Sequence, residues 1–118
     1  MSLRVDSAAL HRLFLAGGLD LVEKMVDLFL KNTPDRLLQL RRGTEGRDWA
    51  VVERIAHSMK SSAAYLGLED LRSAAALAEE LARQGRGEEV RPLLASLERT
   101  FREGRGELTG IVQSLFAL

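Results

Sequence analysis

The 118-residue sequence contains no cysteine and only two prolines. Without thiols there is no disulfide framework and no thiolate chemistry, and the pattern suits a reducing compartment, so a cytoplasmic chain is expected. Aromatics are scarce at 5% and β-branched residues do not gather in runs, which favours helices over strands. Charge of one sign is also missing, because 17 Lys and Arg balance 17 Asp and Glu. That balance excludes the usual electrostatic grip on nucleic acid or an anionic membrane. No apolar run approaches the ~20 residues of a membrane span, and no signal-peptide pattern opens the chain. What remains is 46% hydrophobic and 29% charged residues, enough for one soluble domain with one core over residues 1–118.

Helical periodicity organises nearly all of it. Asp6 is placed to cap a short first helix, with Val5 and Leu10 spaced as a hydrophobic staple, and Gly17-Gly18 stops it. His11 on this helix has no second ligand at metal spacing and reads as a surface residue. Asp20, with Glu23 at capping-box distance, starts a second helix whose stripe of Val22, Met25, Val26, Phe29, Leu37 and Leu40 stays in phase across Pro34. One helix kinked at the proline is expected. Leu30 and Leu38 lie off that stripe, either packing on the first helix or standing exposed for docking. Arg36, Arg41, Arg42 and Arg47 read as a solvated basic face, and 43–46 as the turn.

Asp48 caps a third helix that runs to Leu66 and stops at Gly67, with Trp49 as an anchor of the bundle end. A fourth helix over about 69–84 has an inner stripe of Leu71, Ala74, Ala75, Ala78, Leu81 and Ala82. A tight connection between long helices implies an antiparallel hairpin. The last helix begins within 88–92. It keeps Val90, Leu93, Leu94, Leu97, Phe101, Leu108, Ile111, Val112 and Leu115 in one phase despite Gly104, Gly106 and Gly110. The expected fold is all-α: an antiparallel up-down four-helix bundle with a short N-terminal cap helix.

The stretch Ala56-His57-Ser58-Met59-Lys60-Ser61-Ser62-Ala63-Ala64-Tyr65-Leu66-Gly67 stands apart. On a helix at ~100° per residue, Val52, Ile55, Ala56, Met59, Ala63 and Leu66 share the buried side. His57 falls on the wet side, with Glu53, Lys60, Ser61 and Ala64 one turn away. Neutral imidazole is a nucleophile, and on such a face it is open to a phosphoryl donor held by another protein. Lys60 and Ser61 are placed to neutralise and hydrogen-bond a phosphoryl group, and Ala64 leaves the approach clear. Ser58 lies to the side, and Ser62 borders the core stripe.

This stretch resembles the signature of histidine phosphotransfer (HPt) domains of two-component phosphorelays, roughly A-H-x-L-K-[GS]-[SA]-[SA] with a glycine shortly after. The resemblance extends to Asp48-Trp49, Leu71, Glu79 in the fourth helix and the helix plan as a whole. Met59 stands for a commoner leucine, Ser61 for a common glycine, and Ala78 for a common leucine before Glu79. No departure removes a reacting group. The resemblance implies that His57 accepts a phosphoryl group from a receiver aspartate and passes it to another receiver. Lys60 would be its charge partner, Ser61 would give clearance or a hydrogen bond, and Ala64, Gly67 and Glu53 would serve docking. The sequence shows no Gly-rich phosphate loop and no carboxylate cluster for Mg²⁺, so no ATP site, autokinase activity, cofactor or metal is expected. Response-regulator receiver domains, which would bring the Mg²⁺, are the expected partners of a monomer, free-standing or within a hybrid histidine kinase. The alternatives are a scaffold that binds a receiver or kinase without phosphorylation, and a dimerising kinase helical domain; a metal-binding bundle lacks its Glu-x-x-His pairs.

Overall fold

The computed structural model describes residues 5–116, with side chains to residue 114. Helix α1 spans Ser7–Glu45, α2 Trp49–Leu66, α3 Glu69–Arg83 and α4 Leu94–Phe116, with a 3₁₀ segment at Gly87–Leu93 before α4. No strand forms among these residues; one isolated bridge pairs Val5 with Leu68. Successive helices pack on one another around a single core, so the chain is a helical bundle.

α1 is two limbs. Inside it Gly18 alone leaves helical angles, at φ 71° and ψ −168°, a conformation open essentially to glycine. The first limb is therefore the short leading helix expected from the sequence, capped by the Asp6 side chain, which accepts from Ala8 N–H at 3.0 Å. The second limb keeps helical angles through Pro34, so the interruption lies at Gly18 and not at the proline. Val22, Val26, Phe29 and Leu40 are buried along it, and Phe29 stacks on Phe101 of α4 at 5.4 Å between centroids. Leu30 is half-buried against the core and Leu38 is exposed.

The turn after α1 is shorter than the sequence suggests. The helix continues to Glu45, with Gly43 and Thr44 buried within it. A Cβ on Gly43 would stand 3.2 Å from Val52 Cγ2, so the glycine lets α2 cross closely. The turn shrinks to Gly46, Arg47 at φ 52° and Asp48, whose side chain accepts from Val51 N–H. Trp49 lies against Gly87, where a Cβ would sit 2.3 Å from the indole, and so ties the start of α2 to the 3₁₀ segment.

Gly67 ends α2 in the left-handed region at φ 73°, and Leu68 N–H returns to Ala63 C=O at 2.9 Å. This bond and that from Gly67 N–H to Ala64 C=O at 3.3 Å close the helix end and leave a two-residue connection to α3. In the α3 stripe Leu71, Ala75, Ala78, Leu81 and Ala82 are buried as expected, while Ala74 is half-buried against the core. The last helix starts later than its hydrophobic phase suggests, because the stretch with Pro92 winds as 3₁₀ and regular α-helix begins only at Leu94. It then runs unbroken through Gly104, where a Cβ would meet Leu68 Cδ2 at 2.8 Å. The side chain of Leu115, expected in its stripe, lies outside the described residues.

Candidate functional site

Three side chains meet where α2 faces α3. His57 and Lys60 come from successive turns of α2, and Glu79 comes from the third turn of α3. His57 shows 60% of its side chain to solvent and Glu79 only 5%. The imidazole Nδ1 is in a close hydrogen bond with Glu79 Oε2. Lys60 Nζ donates to Glu79 Oε1 at 2.5 Å, and Arg83 Nη2 stands 3.6 Å from the same oxygen.

Burial alone would push the Glu79 carboxyl up, but hydrogen bonds from Lys60 and His57, with the charge they bring, outweigh it. The carboxyl is held below its ordinary value and is ionised at neutral pH. An ionised carboxylate can only accept, so the hydrogen between it and the imidazole belongs to Nδ1. In the neutral ring the lone pair then belongs to Nε2, the nitrogen away from the carboxylate. A buried anion thus sets the tautomer of an exposed imidazole.

On one side of His57 a recess of about 420 Å³ is lined by Ala50, Glu53, Arg54, His57, Ser58, Glu79 and Arg83. Glu53, expected to serve docking, is ion-paired there with Arg83 at 3.3 Å. Ser58, which the helical wheel sets to the side, lines this recess, whereas Ser61 does not. Ser61 and Ala64 instead line a separate groove of about 540 Å³ with Ala9, Arg12, Leu13 and Tyr65, between the first limb of α1 and the second half of α2. Ser62 accepts from Arg36 Nη1 at 3.1 Å. Lys60, expected beside the imidazole as charge partner of a phosphoryl group, is engaged with Glu79.

Gly67 does not serve as an open approach. It is buried, and a Cβ there would lie 2.4 Å from Asp6 O and 3.1 Å from Ala9 Cβ. The space left by its missing side chain is filled by the chain's own N-terminal segment, whose Asp6 N–H donates to Gly67 O at 2.6 Å. Among the described residues no group of three or more His, Asp or Glu converges as a metal site.

The residue that spacing on α2 could not reveal is Glu79. Its signal lay in α3, where it sits among Ala75, Ala78 and Ala82 on the apolar stripe. A lone carboxylate on a buried face requires a cationic or hydrogen-bonding partner on the facing helix.

The model of the Hpt domain family matches residues 24–115. No curated protein and no solved structure matches the chain.

Proposed function

Since the chain belongs to the Hpt domain family, whose members carry phosphoryl groups in two-component phosphorelays, we propose that His57 accepts a phosphoryl group from a receiver aspartate and delivers it to another receiver. The observation that carries this reading is the buried Glu79 carboxylate on Nδ1 of an imidazole whose far nitrogen is the free one.

The Nε2 lone pair attacks phosphorus. The bond from phosphorus to the donor carboxylate oxygen breaks, and its electron pair leaves with that oxygen. Nδ1 keeps its hydrogen, so the ring gains positive charge as the bond forms, facing the Glu79 carboxylate. Lys60 is within one helical turn and serves as charge partner of the phosphoryl oxygens. Ser61 and Ala64 keep the C-terminal side of His57 low, and Glu53 borders the other side; with them the exposed face docks the receiver. The bundle fixes the nucleophile in position, and the receiver supplies Mg²⁺ and the acidic pocket. The chain acts as a cytoplasmic monomer with neither ATP site nor autokinase activity.

The test is transfer from a receiver domain carrying labelled aspartyl phosphate, with His57→Gln alongside. Label that is acid-labile and base-stable should reach the wild type and not the variant. A folded wild type that takes no label from a panel of receivers would overturn the proposal in favour of a contact-only scaffold.

A further inference from the structure

Glu79 has two oxygens and three cationic or N–H neighbours. Oε2 is occupied by His57, and Oε1 holds Lys60 at 2.5 Å with Arg83 in reserve at 3.6 Å. The Arg83 guanidinium is kept beside the site by two further carboxylates, Glu80 at 2.8 Å and Glu53 at 3.3 Å. Under the carrier reading, on which this inference rests, Lys60 faces a conflict. A doubly negative phosphoryl group on Nε2 draws the ammonium outward, while the buried carboxylate loses its nearest cation just as more negative charge arrives. A carboxylate this buried is costly to leave unpaired.

We propose that Arg83 is a positioning residue that closes on Glu79 Oε1 when Lys60 turns to the phosphoryl group, so that the carboxylate stays ionised and keeps His57 Nδ1–H in place. Glu53 and Glu80 hold the guanidinium within reach in the resting state. Arg83 itself does not touch the reacting atoms.

Two measurements test this. The first needs no phosphorylation: Lys60→Met imitates the departure of the ammonium. Lys60→Met and Arg83→Gln should each change the unfolding constant modestly, because the other cation covers Oε1. The double variant should unfold about tenfold more readily than the product of the two single effects. Arg83→Lys combined with Lys60→Met should recover part of that loss. A double variant equal to the product would overturn the proposal.

The second uses phosphoramidate as a partner-free donor: Nε2 attacks phosphorus, the P–N bond breaks and ammonia leaves with the electron pair. Arg83→Gln should slow labelling of His57 about three- to tenfold, while the imidazole ¹⁵N signals of its unphosphorylated form match wild type. Unchanged labelling, or a tautomer already disturbed before phosphorylation, would overturn the proposal. Energetic coupling in a wild type that takes no phosphoryl group from phosphoramidate or receivers would sink the carrier reading and the exchange it triggers, leaving only the shared cover of Oε1 by Lys60 and Arg83.

Discussion

At the scale of the residue, the site divides one imidazole between two environments. Nδ1 faces a carboxylate that is 5% exposed, and most of the ring faces water. Glu79→Gln keeps the shape but removes the charge that forces the hydrogen onto Nδ1. The ¹⁵N spectrum of the neutral ring should then show a mixture of tautomers where wild type shows one, and transfer to His57 should fall about tenfold or more. An unchanged spectrum would mean that the carboxylate does not set the tautomer. The same residue governs an acid limb of stability. Its folded pKa lies below the ordinary 4.5, so the unfolded chain binds the proton more readily. The support is complete above about pH 4.5 and drains away as pH falls through the folded value. Urea midpoints below that pH should decline less steeply for Glu79→Gln than for wild type. His57 and Lys60 were legible in sequence because they share one helix, where periodicity fixes neighbours. Glu79 entered only through the family pattern, since pairing between helices depends on a register that a single-helix wheel does not contain.

At the scale of the element, glycines do opposite work. Gly67 combines φ 73° with a Cβ position 2.4 Å from the Asp6 carbonyl. Gly67→Ala must strain the helix end and push away the leading segment, a loss of about 2–4 kcal/mol by chemical unfolding. Gly106 and Gly110 lie inside α4 with nothing near a prospective Cβ. Alanine at either should raise stability by up to about 1 kcal/mol through helix propensity. A gain at Gly67 or a loss at Gly106 would reverse this reading. The helix set was legible from apolar phase, which also carried α1 correctly through Pro34. The ends were less so. The 3₁₀ winding before α4 and the extension of α1 to Glu45 reflect how Gly87 fits under Trp49 and Gly43 against Val52, contacts that only the assembled bundle supplies.

At the scale of the whole molecule, the first limb of α1 lies outside residues 24–115 matched by the family. It is nevertheless stitched to the α2–α3 corner and to α4. Val5 pairs with Leu68, Asp6 donates to Gly67 O, and Val5 N–H donates to Glu107 at 3.3 Å. Val5, Ala9 and Leu10 are buried in the process. Removing residues 1–17 should leave the bundle folded and lower its unfolding midpoint. Amide exchange should accelerate at the corner around 66–69 and in α4 near Glu107, while the middle of the second limb of α1 keeps its protection. Uniform acceleration across the chain would instead make this limb part of the cooperative core.

The placement of Glu79 beneath His57 also separates two inheritances. Under the proposed carrier function, the chemistry would reside in a nucleophile on one helix and a buried acceptor on the next, fixed by a two-residue corner. The proposed docking surface reaches beyond them to side chains such as Ala64, which lines a separate groove with Ser61 and Tyr65. Under the proposed carrier function, substitutions in that groove would re-address the protein to a new partner while the reactivity of the histidine is passed on intact.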